Sequence, residues 1–322
     1  MKKVFVTGTT GLLGTHVLIK LLNDGYNVIA LVRKKSSDLG TENENLTWVE
    51  GDLFTDISGY LDGVDCIIHI AAETRQNLLS YTDYRKINHE AVVHLFSQAV
   101  AAKVNRFIFV SSANTLGYGS KEEPGNEKSC QKYPFTHSFY AKSKQEAENY
   151  LLQNNRITEV VIVNPSFMIG AYDHKPSSGK IIYWAWKKKI IFYPKGGKNF
   201  VHAEDAAKGI INAIEKGKNG EKYLLAHENL SYKDFFKKIN RITSQKPLMI
   251  PIPDTGLVIL GRIGNLLRAL QIKTDLSSEN MKALRIDNFY SNHKSIQELG
   301  LEYQPIDKAV EDAVEYFKKK KN

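Results

Sequence analysis

The chain is poor in cysteine: Cys66 and Cys130 are the only two among 322 residues, and they do not form a CxxC pair. This argues against a disulfide framework or a thiolate zinc site, and it suits a reducing cytosol, so a cytoplasmic location is expected. Also missing is any uncharged apolar run of the roughly 18 residues that a membrane-spanning helix needs. The most apolar stretch, Leu257 to Ile272, is broken by Arg262 and Arg268. It reads as an amphipathic helix over a core or a substrate pocket, with a membrane-surface helix as the other reading. Val4-Phe5-Val6 after Met1-Lys2-Lys3 is too short for the core of a signal peptide. The net charge of +9 sits partly in Lys187–Lys189 and Lys318–Lys321. With no zinc finger, RNA-binding signature or long basic arm beside it, this is solvated charge. No nucleic-acid partner is expected, though an anionic small ligand would be favoured.

What remains is ordinary globular material, 42% hydrophobic and 25% charged, without internal repeats or low-complexity tracts. The first half alternates short β-rich runs with amphipathic helices. Strands are expected at Lys3–Thr7, Val28–Val32, Leu46–Val49, Val64–Ile70, Arg106–Val110 and Glu159–Val163, and helices at Leu12–Leu22, Tyr84–Lys103 and Ser138–Gln153. That alternation implies an α/β, Rossmann-type doubly wound parallel sheet. After Pro165 aromatics, glycines and prolines accumulate. Helical patches follow near Ala206–Lys216, Tyr232–Thr243, Leu257–Leu270 and Ile306–Lys319. The expected division is a dinucleotide-binding domain over 1–165 and a smaller mixed substrate lobe over 166–322, with some segments returning to the sheet.

The run Thr7-Gly8-Thr9-Thr10-Gly11-Leu12-Leu13-Gly14 joins the first strand to the first helix. Gly8 permits the tight turn, Gly11 lets backbone approach a pyrophosphate, and Gly14 lets the helix pack close to the sheet. Helix-start N–H groups then face the phosphates. The cradle is expected to run through Gly8, Thr10, Gly11, Leu12, Leu13 and Gly14. NAD binders usually place an acid at the end of the second strand. Here Leu31-Val32-Arg33-Lys34-Lys35-Ser36 has none, and Arg33 suits a 2′-phosphate or an adenine face, which favours NADP. Asp52, with Leu53 beside it, follows the third strand and could bond the adenine amine or serve as a turn residue.

Tyr140 and Lys144 stand four apart, on one face of a helix. A close ammonium, plus the cationic nicotinamide of an oxidised cofactor, is expected to lower the phenol and fit it for proton exchange with a carbonyl or alcohol oxygen. Phe107–Val110 runs into Ser111-Ser112, and ligands in doubly wound sheets sit at strand carboxyl ends. Ser112 is placed beside the substrate oxygen, whereas Ser111 should point elsewhere. After the fourth strand, small Ala71 and Ala72 would let backbone approach the ribose and nicotinamide. His69 reads as packed rather than catalytic.

These pieces together resemble the extended short-chain dehydrogenase/reductase superfamily over nearly the whole chain. The matching segments are TGTTGLLG at Thr7–Gly14, GDL at Gly51–Leu53, HIAA at His69–Ala72, Asn88, FIFVSSANTLG at Phe107–Gly117, YAKSK at Tyr140–Lys144, NPS at Asn164–Ser166 and FVHAEDAA at Phe200–Ala207. Arg33, together with Gly170, Asp173, Lys175-Pro176 and Gly179 after Asn164-Pro165-Ser166, is most similar to the dihydroflavonol-4-reductase-like branch, which includes hopanoid-associated sugar epimerases. The resemblance implies catalysis by Ser112, Tyr140 and Lys144, with Pro165–Ser166 near the nicotinamide, and it gives His202 and Asp205 either a motif role or a structural one.

Two departures bear on the substrate. Sugar-nucleotide dehydratases usually carry an Asp-Glu pair after the catalytic hydroxyl, where this chain has Ala113-Asn114. Many sugar-nucleotide enzymes have proline before the tyrosine, where this chain has Phe139. If Phe167, Met168, Tyr172, Tyr183, Trp184, Trp186, Phe192 and Tyr193 line the pocket rather than the lobe's core, the substrate is apolar or aromatic. The reading is NADP-dependent reduction of a small-molecule aldehyde or ketone. The alternatives are an NAD-dependent sugar or nucleotide-sugar epimerase and a non-catalytic dinucleotide sensor. A homodimer could form through Tyr84–Lys103 and Ser138–Gln153.

Overall fold

The computed structural model describes residues 2–34, 43–174 and 177–320. Lys35, Ser36, Lys175 and Pro176 lie outside the described residues. The first half contains β1 (Lys3–Thr7), α1 (Leu12–Asn23), β2 (Asn27–Val32), β3 (Leu46–Glu50), β4 (Cys66–His69), α2 (Tyr81–Arg85), α3 (Ala91–Ala101), β5 (Arg106–Val110), α4 (Phe139–Gln153) and β6 (Glu159–Pro165). A π-helical turn at Lys86–Glu90 joins α2 to α3, so the single helix expected from Tyr84 to Lys103 is continuous but locally widened. The second half contains β7 (Phe167–Ile169), α5 (Lys180–Ala185), β8 (Ile190–Tyr193), β9 (Gly197–His202), α6 (Ala203–Lys216), β10 (Lys222–Leu225), β11 (Glu228–Ser231), α7 (Tyr232–Ile242), β12 (Leu248–Pro251), α8 (Asp254–Ala269), α9 (Ser278–Ala283), β13 (Asp287–Asn288), α10 (His293–Leu299) and α11 (Ile306–Lys319).

Seven strands form one sheet in the order β10-β6-β5-β4-β1-β2-β3, and every pairing in it is parallel. The central strands are apolar on both faces, as Val4-Phe5-Val6 and Phe107–Val110 are, because helices cover both sides. Val4, Val6, Ile68 and Ile108 pack toward α1 and α6. Phe5, Ile67, Phe107 and Phe109 pack toward α3 and α4. Strand order reverses between β1 and β4, where a crevice opens at the carboxyl ends.

The lobe's core gathers Ile169, Ile182, Trp186, Tyr193, Phe200, Phe235 and Phe317. Tyr183 packs against this cluster, while Trp184 and Phe192 are exposed. Most of the aromatics considered as pocket lining therefore do other work. Alternation along β8 turns Tyr193 in and Phe192 out, and only Phe167 reaches the cleft at the sheet's edge.

Candidate active site

Gly8 ends β1 in the left-handed region, at φ +80°, and a Cβ there would lie 2.5 Å from the Ala71 nitrogen. Glycine is required on both counts. A Cβ on Gly14 would meet the Gly8 carbonyl oxygen at 1.9 Å, so α1 starts as close to the loop as backbone allows. Gly11 differs. A Cβ there would find only the Gly8 oxygen, at 3.7 Å, and would project into open space. Gly11 is also the N-cap of α1, with no side-chain cap over the first turn. Bare N–H groups beside a space that a side chain would fill fit a pyrophosphate. Ala71 borders this loop from the other side of the crevice and donates its N–H to Thr7 Oγ1 at 3.3 Å.

Arg33 and Asp52 follow the neighbouring strands β2 and β3, joined by the Gly51 N–H to the Val32 carbonyl at 2.9 Å. Arg33 is exposed. Asp52 Oδ1 accepts from the Phe54 N–H at 2.8 Å, so a turn bond occupies one carboxylate oxygen. Leu53 is half-buried beside it.

Ser112 follows β5 and Tyr140 opens α4, whose N-cap Ser138 accepts from the Ala141 N–H. The phenol is raised from its ordinary value, first by burial, while the Ser112 hydroxyl pulls it down. Burial thus reverses the expected lowering; Lys144 Nζ donates to the Val110 carbonyl at 2.6 Å and lies 4.1 Å over the Phe109 ring. Burial pushes the Lys144 ammonium down to about 7, opposed by the Glu148 charge. Ser111 is buried away from this group, as strand alternation requires, with its hydroxyl unpartnered among the described residues.

Three residues singled out from the sequence are structural. His69 is buried, bonds Thr7 Oγ1 through Nδ1 at 2.8 Å and stacks on Phe109. Burial and the Lys144 charge push it down to about 3. His202 caps α6, accepting from the Glu204 N–H at 2.9 Å, and faces Asp312 at 3.1 Å. Asp205 holds the Gln304 N–H at 2.8 Å. Asn88, in the π turn, clamps the loop after Ala72. Its amide donates to the Glu73 carbonyl and to Ser143 Oγ, both at 3.0 Å, and its oxygen accepts from the Glu73 N–H at 2.8 Å.

Sequence reasoning missed a buried network behind the site. Glu148, one turn beyond Lys144, is fully buried and ion-paired with Lys222 of β10. Its Oε1 accepts from Thr115 Oγ1 and Asn164 Nδ2, both at 2.7 Å. It also missed the cleft's polar wall. Ser112, Asn114, Pro165, Ser166 and Phe167 face Lys198, Asn199, Asn288 and Tyr290 across it. Lys198, pushed down to about 8 by burial, has its Nζ 4.5 Å over the Phe167 ring. The Asn288 side-chain oxygen is buried and unpartnered among the described residues. Ser166 Oγ donates to Asn199 Oδ1 at 2.6 Å. Of the aromatics on which an apolar or aromatic substrate depended, Phe167 alone lines this cleft, beside a cation and an unpartnered amide oxygen.

Comparison with known proteins adds four findings. The model of the NAD dependent epimerase/dehydratase family matches residues 4–226, which ends just past β10. A Synechocystis sp. protein named after dihydroflavonol 4-reductase is 29% identical over 97% of this chain and 94% of its own. A Dictyostelium discoideum sterol-4-alpha-carboxylate 3-dehydrogenase, decarboxylating, is 31% identical over 79% and 81%. Among solved structures, the crystal structure of gox2253 matches with a TM-score of 0.84 at 29% identity, covering 99% of each chain.

Proposed function

This chain belongs to the NAD dependent epimerase/dehydratase family, and from that premise we propose that it is an NADP-dependent reductase of an aldehyde or ketone, working through Ser112, Tyr140 and Lys144. The observation that carries the reading is the convergence at the end of β5. The Ser112 hydroxyl acts on the Tyr140 phenol, drawing it down against burial, the Lys144 ammonium lies one helical turn on, and Ala113-Asn114 follows where elimination chemistry would want two acids.

The residues that would hold the dinucleotide are Gly8, Thr10, Gly11, Leu12, Leu13 and Gly14 at the pyrophosphate, and Arg33, Asp52 and Leu53 at the adenosine end. Ala71, Ala72, Pro165 and Ser166 would flank the nicotinamide. Reduced nicotinamide, when bound, supplies hydride. Ser112 and Tyr140 hold the substrate's carbonyl oxygen and make its carbon electrophilic. Tyr140 gives that oxygen a proton, which its raised phenol retains until the carbonyl is in place. Lys144 supplies the positive charge that favours the phenolate left behind.

Lys198 fits a substrate with an anionic or strongly polar group near the carbonyl, and the unpartnered Asn288 oxygen fits a hydrogen-bond donor on it. A sterol carboxylate, as in the name of the Dictyostelium relative, is one such molecule. The same Lys198 favours a second reading, epimerisation of a sugar nucleotide, whose diphosphate would also satisfy a lone cation. The test is NADPH consumption across a panel of ketones, aldehydes and keto acids, run beside epimerisation assays on UDP-, GDP- and dTDP-sugars. Turnover of a carbonyl supports the reductase. Silence on the panel with clear sugar epimerisation replaces it with the second reading.

A further inference from the structure

Helix α8 is built inside out. Its packed face is Leu257, Gly261 and Gly264. A Cβ on Gly264 would lie 2.0 Å from the Leu276 carbonyl oxygen, and one on Gly261 would lie 3.0 Å from Ser278 Cα, so the glycines are what let α8 lie flat against the start of α9. The opposite side carries Ile259, Ile263, Leu266 and Leu270 at spacings of four, three and four, one continuous stripe. All four are exposed, Leu266 at 63% and Leu270 at 64%, as are neighbouring Leu260 and Ile272. Isolated exposed leucines need no explanation, but a contiguous outward stripe marks an interaction surface. Of the two readings open from the sequence, a helix over a core or pocket and a helix on a membrane surface, the outward apolar face disfavours the first.

The charge pattern says what the stripe meets. From Thr255 to Thr274 there is no acid, and there are three bases, Arg262, Arg268 and Lys273. Arg268 is used internally, donating to the Leu78 carbonyl at 2.8 Å and so tying α8 to the loop that follows Ala72. Arg262 and Lys273 are exposed beside the stripe. The ribbon that feeds α8, β8 with β12, repeats the pattern with exposed Ile190, Phe192 and Leu248 next to Lys187–Lys189 and Lys246. A helix with an apolar stripe and flanking bases suits the boundary between lipid headgroups and acyl chains. A two-fold contact between copies would set a patch with no acid from Thr255 to Thr274 against another of the same sign, since such an interface pairs the same patch with itself.

We propose that α8 docks this protein on an anionic lipid surface through Ile259, Ile263, Leu266 and Leu270, with Arg262 and Lys273 against the headgroups. Docking there sets the loop after Ala72, which Arg268 ties to α8, next to the lipid. The proposal does not depend on which reaction the site performs.

The experiment is sedimentation of the full chain with vesicles of mixed phosphatidylglycerol and phosphatidylcholine, and with phosphatidylcholine alone. Binding to the mixed vesicles is expected and should fall with added salt. Arg262→Glu with Lys273→Glu should weaken it at least fivefold per residue, as one basic group near an anionic surface contributes about that factor. Ile263→Glu with Leu266→Glu should abolish it while leaving thermal unfolding unchanged, because both side chains point outward. Three results overturn the proposal: no binding to mixed vesicles, equal binding to neutral ones, or unaltered binding by both double variants. Self-association that the Ile263→Glu, Leu266→Glu variant dissolves, in protein that ignores vesicles, also overturns it and assigns the stripe to a second copy.

Discussion

Asn164, near the end of β6, grips Ser112, just past the end of β5: its amide donates to the Ser112 carbonyl at 3.1 Å and, in the same fork, to Glu148 at 2.7 Å. The residue whose hydroxyl is proposed to hold the substrate's carbonyl oxygen is thus positioned by a buried carboxylate two contacts away. Glu148→Ala removes one partner of a buried ion pair and strands Thr115 and Asn164. Such losses cost about 3–5 kcal/mol. Lys222 keeps some solvent, so the lower end, about 3 kcal/mol, is expected in denaturant unfolding. A loss under about 1 kcal/mol would mean that the network contributes little.

The pH profile follows from Lys144. On the proposed mechanism, reduction needs a proton on Tyr140 and a charge on Lys144. The raised phenol keeps its proton, while the ammonium, pushed down to about 7, is lost first. kcat/KM for a carbonyl with NADPH should therefore fall as pH rises through about 7. Glu148→Gln removes the charge that lifts Lys144 and should move the fall to lower pH. Folding runs the other way. Between about 7 and the ordinary lysine value of 10.5 the unfolded chain binds a proton that the folded one does not, so this group's contribution to stability rises with pH across that window. Lys144→Met should flatten the slope.

The glycine loop gives a paired test. Gly11→Ala places its methyl in open space, so unfolding should shift by less than about 0.5 kcal/mol while dinucleotide affinity drops at least tenfold. Gly14→Ala drives its methyl into the Gly8 carbonyl and should destabilise the fold itself. Isothermal titration beside thermal unfolding separates the two. Equal effects on both properties would remove the cradle assignment.

Cofactor choice rests on Arg33. A charge-assisted phosphate bond contributes about 1.5–3 kcal/mol, one to two decades in affinity. NADPH should bind that much better than NADH, and Arg33→Ala should narrow the gap. Equal affinities in the unmodified protein would leave Arg33 without this role.

Tyr140→Phe keeps the ring and loses the proton, so turnover should fall by about 10²–10⁴ with dinucleotide binding retained. Lys198→Met should raise KM for keto acids far more than for neutral ketones. An identical change for both would sever Lys198 from substrate recognition.

The legible parts of this molecule were those whose physics is local. The β1–α1 turn needs its glycines within seven positions, and Tyr140 and Lys144 share a helix face by spacing alone. Ser112 could be placed because strand alternation separates it from Ser111. Glu148 was illegible because a carboxylate four residues past Lys144 looks like ordinary helix surface. What buries it is β10, whose Lys222 is 74 residues away. Lys198 and Asn288 meet Ser112 only through the packing of the lobe. The Leu257–Ile272 periodicity announced a helix, but a stripe has no sign: Gly261 and Gly264 took the inner side, which hydrophobicity would have assigned to leucine.

One strand carries a consequence for how such proteins change over time. β10 lies at the sheet's edge beside β6, and α6 lies against α1 beneath the same sheet, although both come after residue 166. The chain therefore leaves the nucleotide-binding body, comes back to finish it, and leaves again. A cut at residue 165 would separate neither half cleanly, since β6 would lose its outer neighbour and Glu148 its counter-ion. Exchanging substrate preference between relatives therefore cannot work as a tail swap. It requires grafting two separate inserts, on either side of α6 and β10, with their seams kept at both ends.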